Sequence, residues 1–225
     1  IVNQKGGVGK TTTCVSLTAA LAEQKKRVLL CDFDPQANAT SGLGVDKNEV
    51  AISTYDIVID GKNAADAVIH TKFSDLLASS AALSGAGVEL VGLERREYCL
   101  RDALEPLRAQ YDYIFIDCPP SLELLTLNAL CAADEILIPV PCEYYALAGL
   151  SALLMTMRAV KRKLNPTLGI FGVLLTMYDG RTNFSAQVAE EVRRHFPGKV
   201  FAAVIPRNVR LSEAPSHGLP ICAYD

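Results

Sequence analysis

The chain reads as an α/β protein, a mostly parallel twisted sheet with helices on both faces. Three observations predict it. Apolar runs of strand length alternate with helical stretches along the 225 residues. Several of the runs are almost wholly apolar, as strands covered on both faces are. A glycine-rich stretch at 5–9 joins the first short run to the first helix, and such a loop lies at the carboxyl end of a sheet strand.

The strands predicted in order are Ile1-Val2, Arg27 to Cys31, Asp75 to Ala78, Tyr113 to Ile116, Glu135 to Val140, Gly169 to Leu175 and Val200 to Ile205. The helices between them are Thr11 to Glu23, Ala64 to His70, Arg96 to Ala109, Ser121 to Cys131, Tyr145 to Leu164 and Phe184 to Phe196. Asn165-Pro166 and Pro197-Gly198 end the last two, because proline disfavours a helical residue before it. Residues 47–84 are the least regular stretch. There is no repeat and no linker, so residues 1–225 read as a single domain, one that looks clipped at both termini.

Half of the residues are hydrophobic and the formal charge is −3. The first supports a large core; the second argues against a protein that is basic all over, so any nucleic-acid contact must come from a local patch. The seven cysteines form no C-x-x-C pair and read as buried thiols of a reducing cytosol. No uncharged apolar run approaches the ~18 residues of a membrane span, and no signal peptide is visible, so the expected location is cytoplasmic.

The chemistry begins at Lys5-Gly6-Gly7-Val8-Gly9-Lys10-Thr11-Thr12. Glycines 6, 7 and 9 let the backbone wrap phosphates with its N–H groups, and the following helix adds its positive N-terminal end. Lys10 matches the lysine that reaches the β and γ phosphates, and Thr11 the hydroxyl offered to Mg²⁺. Lys5 is a second cation, and Gln4 stands where the plain G-x-x-x-x-G-K-[ST] pattern has glycine. Two further segments end apolar strands in acids. Cys31-Asp32-Phe33-Asp34-Pro35-Gln36 carries two acids, and Ile116-Asp117-Cys118-Pro119-Pro120 carries a third. Ligands gather beyond the carboxyl ends of such strands, so the three can converge on one metal–phosphate centre.

These segments, with C-E-Y-Y-A-L at 142–147, L-L-T-M-Y-D at 174–179 and P-R-N-V-R-L-S-E-A-P-S-H-G at 206–218, span nearly the whole chain. Together they resemble the ParA family of chromosome and plasmid partitioning ATPases, in particular its Soj-like branch. That family belongs to the deviant Walker A group of P-loop NTPases, with MinD as a more distant relative. The resemblance implies ATP and Mg²⁺ as ligands and an ATP-induced sandwich dimer as the working state. Lys5 would reach across that dimer to the partner's phosphates, and Gly6 would permit the close approach. Gly7, Val8, Gly9 and Thr12 complete the phosphate loop. Asp34 would position the attacking water, Asp32 would support the metal shell with Thr11, and Asp117 would be the Walker B acid. Met177, Pro206 and Asn208 would line the adenine pocket. Arg181 and Arg210 align with positions that contact DNA without sequence preference, and a ParB-type centromere-binding protein would stimulate hydrolysis. Ala37 is a minor departure, standing where relatives often carry glycine.

The other basic positions are less telling. Arg158, Lys161, Arg162 and Lys163 read as a solvated helix end suited to the macrodipole, and Arg193, Arg194, Lys199 and Arg207 stay open. His70, His195 and His217 lack metal-ligand spacing. Glu143, Tyr144 and Tyr145 read as shaping the dimer face. Two other functions on the same scaffold fit the residues less well. A MinD-like membrane-associated ATPase normally needs a C-terminal amphipathic helix, which the chain does not display. A nitrogenase-reductase-like protein needs cluster cysteines, and Cys118 alone makes no such motif. Whether the cargo is a chromosome, a plasmid or a protein assembly stays open.

Overall fold

The computed structural model describes residues 1–143 and 146–225, with the side chains of 146–148 excepted. The predicted dimer-face residues Tyr144 and Tyr145 therefore lie outside the described residues. The elements run α1 (Lys10–Glu23), β1 (Val28–Asp32), α2 (Asn38–Gly42), α3 (Thr54–Val58), β2 (Val68–His70), β3 (Asp75–Leu77), α4 (Leu83–Glu89), α5 (Cys99–Leu104), β4 (Tyr113–Asp117), α6 (Leu124–Ala132) and β5 (Glu135–Pro141). They continue through α7 (Ala146–Lys163), β6 (Gly169–Tyr178), α8 (Asn183–His195), β7 (Val200–Pro206), α9 (Arg210–Glu213) and α10 (Ile221–Tyr224).

The strands form two ladders, ordered β2-β3-β1-β4 and β5-β6-β7. Every pairing is parallel except β2 with β3. Ile1 and Val2 lie between the two ladders and join them. The Ile1 nitrogen donates to the Ile116 carbonyl at 2.6 Å and the Ile1 carbonyl accepts from Cys118, while Val2 N–H donates to the Leu137 carbonyl at 3.1 Å. This stub has strand-like partners on both sides but is too short to count as a strand of its own. β1 sits near the middle of its ladder and is buried along its whole length, as the apolar run Val28-Leu29-Leu30-Cys31 requires. β7 closes the other edge and is half-exposed.

One predicted element is of the wrong kind. The alanine-rich stretch Ala64 to His70 makes a single 3₁₀ turn over Ala64–Ala67, then extends as β2. The Asn63 side chain accepts from Ala65 N–H and starts the turn, and Val68-Ile69 then pairs antiparallel with Leu76-Leu77. Tertiary pairing of the β-branched residues outweighs the helical preference of the alanines. The predicted helix Arg96 to Ala109 begins only at Cys99 and tightens to 3₁₀ geometry over Glu105–Gln110, where Pro106 removes a backbone donor. The remaining strands and helices fall within a few residues of their predicted ends.

A large apolar core runs beneath both ladders, with Leu29, Phe33, Leu77, Leu130, Ile138, Leu153 and Leu175 among its buried members. A smaller one, built on Cys14, Val15, Leu30 and Leu76, packs α1 against the sheet. The end of α7 is pinned by buried Asn165, whose amide donates to the Ala133 carbonyl at 2.8 Å, and by Lys161, which donates to the Leu168 carbonyl at 2.9 Å. Among the described residues no helix is long and apolar enough to cross a membrane.

Candidate phosphate and metal site

The loop between the Ile1-Val2 stub and α1 is anchored by buried side chains. Asn3 donates its amide to the Pro139 carbonyl at 2.8 Å and accepts the Lys5 N–H at 3.0 Å. Thr176, on β6, donates its hydroxyl to the Val8 carbonyl at 2.9 Å. Gly7 and Gly9 adopt left-handed backbone with φ of 69° and 90°, which a residue with a Cβ would resist. Gly9 is thereby the N-cap of α1, so the free N–H groups of the first turn border the loop. Gly6 and Gly7 are exposed, and Val8 is buried.

Lys10 is 6% exposed and curls back, donating to the Lys5 carbonyl at 2.9 Å. Burial lowers its pKa, while Asp117 and Asp34 nearby favour the charged form. Thr11 and Thr12 also border a small cavity shared with Leu211 and Pro215 of the C-terminal segment. The Lys5 side chain lies along α7, where a Cβ on Gly149 would meet its Cδ and Cγ at 3.6 Å.

Asp117 is completely buried at the end of β4. Its Oδ1 accepts from the Cys14 thiol at 3.6 Å, and its Oδ2 has no hydrogen-bond partner. Burial pushes its pKa up, and Thr11 lies close enough to favour the ionised form. A buried carboxylate oxygen left unmatched costs free energy unless something else satisfies it. A hard divalent cation bound through oxygens is what such an atom suits, and Thr11 and Asp117 fit Mg²⁺.

Asp32, expected to support the metal shell, is hydrogen-bonded on both oxygens. It stands beside Asp117 in the parallel register of β1 and β4, but its carboxylate is taken up internally. Oδ2 accepts from both the N–H and the hydroxyl of Thr40 at 2.7 Å, and Oδ1 accepts from Asp34 N–H at 3.2 Å. Burial and the neighbouring Asp117 charge raise its pKa. Asp34 is 6% exposed, and its Oδ1 accepts from Gln36 N–H at 2.9 Å.

The predicted adenine-pocket residues cluster at the ends of β6 and β7. Met177 has φ of 52°, a strained geometry of the kind that collects at functional sites. Tyr178 and Pro206 are register partners, so Met177 and Pro206 lie at the same sheet end as Thr176, which contacts the loop. Arg207 bridges this corner: it pairs with Glu143 at 2.6 Å and approaches the Met177 sulfur at 3.9 Å. Asn208 accepts from Arg210 N–H at 2.9 Å and so opens α9.

Arg181 and Arg210 are exposed and each is held by a neighbour, Asp179 at 2.8 Å and Glu213 at 3.1 Å. Exposed pairs of this kind contribute little to stability and are easily exchanged for another anion. His217 stacks on Tyr224 at 5.1 Å, which gives it a packing role in the C-terminal turn. All seven cysteines are free thiols, and among the described residues no metal-binding cluster of histidine, cysteine and acid side chains occurs.

Asn3, Thr40 and Thr176 carry much of this geometry, and none of them stands out in the sequence. Thr176 does lie inside the L-L-T-M-Y-D string at 174–179, so a hydroxyl within a motif is the signal that could have found it.

A glycine loop capping a helix, a buried lysine inside it and an unmatched strand-end acid define a P-loop NTPase. A family model described as an AAA domain matches residues 1–170. The chain is 58% identical to the sporulation initiation inhibitor protein Soj of Bacillus subtilis, covering 100% of this chain and 90% of that one. It is 53% identical to the chromosome partitioning protein ParA of Myxococcus xanthus, over 100% and 80% of the two chains. Among solved structures, a cobyrinic acid a,c-diamide synthase from Mycobacterium smegmatis with bound ADP and magnesium superposes with a TM-score of 0.88 at 39% identity, covering 96% of this chain and 90% of that one. A complex of a Cyanothece McdA variant with ATP gives a TM-score of 0.90 at 27% identity, covering 99% and 87%. The chain belongs to the Soj/ParA family of chromosome-partitioning ATPases.

Proposed function

We propose that this chain is an ATP-driven partitioning switch whose ATP-bound form is a dimer on DNA. Its nucleotide chemistry is carried by one observation, the unmatched, buried Asp117 Oδ2 beside Thr11 and Lys10 at the mouth of a helix-capping glycine loop, and its partitioning role is supported by the likeness to Soj and ParA proteins. In this reading the loop N–H groups and Lys10 hold the phosphates of ATP. For that, Lys10 must leave the Lys5 carbonyl. Thr11 and Asp117 hold Mg²⁺, which when bound offsets the negative charge of the phosphates. Asp34 orients the attacking water, and hydrolysis is phosphoryl transfer to water, governed by positioning and charge. Met177, Pro206 and Asn208 border the adenine.

Lys10 serves its own loop, so the second cation, Lys5, is assigned to the phosphates of a partner subunit. A cation supplied in trans is worth roughly 10³–10⁵ in rate in GTPases. Two subunits joined over ATP bring their Arg181 and Arg210 side chains to one DNA duplex, which binds through its phosphates without sequence preference. A ParB-type partner then stimulates hydrolysis and release. Nucleoid association follows from the DNA contact.

Co-sedimentation with DNA tests this. Pelleting should require ATP, fail with ADP and fall steeply between about 50 and 200 mM salt. Nucleotide-independent or salt-insensitive pelleting overturns the DNA assignment. ATP-dependent pelleting with liposomes instead would favour a membrane-docking relative.

A further inference from the structure

Asp34 is held at both ends of its own backbone. Its N–H donates to Asp32 Oδ1 at 3.2 Å, and its carbonyl accepts from the Ser79 hydroxyl at 2.8 Å. The remaining contacts close a ring. The Thr40 hydroxyl donates to Asp32 Oδ2 at 2.7 Å and accepts from Ser79 N–H at 3.0 Å. Asp32, Thr40 and Ser79 are all 0% exposed. The ring joins three separate pieces of chain: the end of β1, the first turn of α2 and the residues just past β3.

Buried polar rings with every member satisfied are stiff, because a hydrogen bond broken in a low-dielectric interior finds no water to replace it. The stiffness has a direction here. The Asp34 carboxylate is tied to its local backbone through Gln36 N–H at 2.9 Å, so fixing the backbone fixes the carboxylate. The next turn of chain is held as well, with Ala37 in left-handed geometry at φ 54° and fully buried.

We propose that Thr40 and Ser79 are positioning residues for Asp34, and that Asp32 serves this ring rather than the metal. The proposal rests on the reading that Asp34 orients the attacking water. Neither hydroxyl touches nucleotide or metal in it. Each acts by setting where the Asp34 carboxylate points.

The test compares Thr40→Val, Thr40→Ser and Ser79→Ala in the wild-type and Asp34→Ala backgrounds. Steady-state ATP hydrolysis is read alongside fluorescent-nucleotide affinity and thermal unfolding. Misplacing a catalytic group by about 1 Å costs on the order of 10²-fold. Thr40→Val should therefore lower kcat by about 10- to 100-fold and leave nucleotide affinity within about twofold. Thr40→Ser, which keeps the hydroxyl, should recover most of the rate. In the Asp34→Ala background Thr40→Val should cost nothing further, since effects through one shared residue are non-additive. If Thr40→Val does not fold, Ser79→Ala carries the same test with an expected fall of about fivefold, the worth of one hydrogen bond.

Weakened affinity with unchanged kcat, or a further loss in the Asp34→Ala background, would overturn the positioning role. A slow Asp34→Ala with a normal Thr40→Val overturns this proposal alone. Wild-type turnover by Asp34→Ala overturns the underlying reading of Asp34, and the proposal with it.

Discussion

The two halves of the sheet end differently where they meet the phosphate loop. On one side, β1 and β4 end in Asp32 and Asp117, adjacent in register and both buried. On the other, β5 and β6 reach the loop with neutral groups: the Pro139 carbonyl receives Asn3, and the Thr176 hydroxyl supports Val8. The acidic half holds two carboxyl groups whose charged forms burial disfavours, raising the pKa of both. The neutral half carries none and simply holds the loop backbone in shape. In the proposed reading the contrast divides the labour: one side supplies metal and water chemistry, the other shapes the cradle and borders the base.

Removing the charge on the acidic side should have the largest effect. Asp117→Asn should reduce Mg²⁺-dependent hydrolysis by more than about 100-fold, while the metal-free protein melts no lower than wild type, because an unmatched buried charge is gone. A lower melting temperature with hydrolysis retained would break the comparison. On the neutral side, Thr176→Val removes one hydrogen bond to the loop. Nucleotide affinity should fall by about five- to tenfold, with kcat at saturation nearly unchanged. A loss mainly in kcat would mean that the two halves are not separable.

A third change sharpens the comparison within the acidic side. Asp56 also carries a charge there, but a matched one. Burial would raise its pKa, yet Lys62 and the Ser53 N–H and hydroxyl hold it down at about 2. It closes the capping box of α3. A depressed carboxyl contributes stability above its unfolded value near 4 and loses it as pH falls through the folded value. Asp56→Asn should therefore cost about 1 kcal/mol at pH 7. The gap to wild type in denaturant unfolding should close as pH falls from about 4 toward 2, with ATPase activity unaffected. A gap that persists at pH 2 would show that charge is not its source.

The smallest effect concerns Ala37. Left-handed backbone costs an L-residue about 1–2 kcal/mol, part of which glycine gives back through its looser unfolded chain. Ala37→Gly should stabilise by about 0.5–1 kcal/mol in the same unfolding assay. A destabilisation would show that the buried Ala37 methyl matters more than the backbone strain.

The parts of this site that were legible in the sequence are those whose signal is local. The glycines, Lys10, Thr11 and Asp117 each announce themselves within a few residues of a strand end. The fold class followed from alternating apolar runs, and β1 and β3 to β7 were visible for that reason. The ring around Asp34 was not, because Thr40 and Ser79 reach it from eight and 47 residues beyond Asp32, and only folding brings them together. For Asp32, which the resemblance gives to the metal shell, what fills its oxygens is also a long-range fact. β2 was hidden likewise, since its partner β3 decides its conformation and the local alanines point elsewhere.

In the proposed reading, Lys5 is the residue on which the dimer turns. Lys10 curls back into its own loop and donates to the Lys5 carbonyl, and the resemblance assigns the second lysine to a partner's phosphates. The most direct measurement is the ATPase rate of Lys5→Ala with DNA and a ParB-type partner, beside its nucleotide affinity. Near wild-type affinity with stimulated hydrolysis abolished is the predicted result. Full stimulated hydrolysis by that variant would contradict a working state in which each subunit completes the other's site.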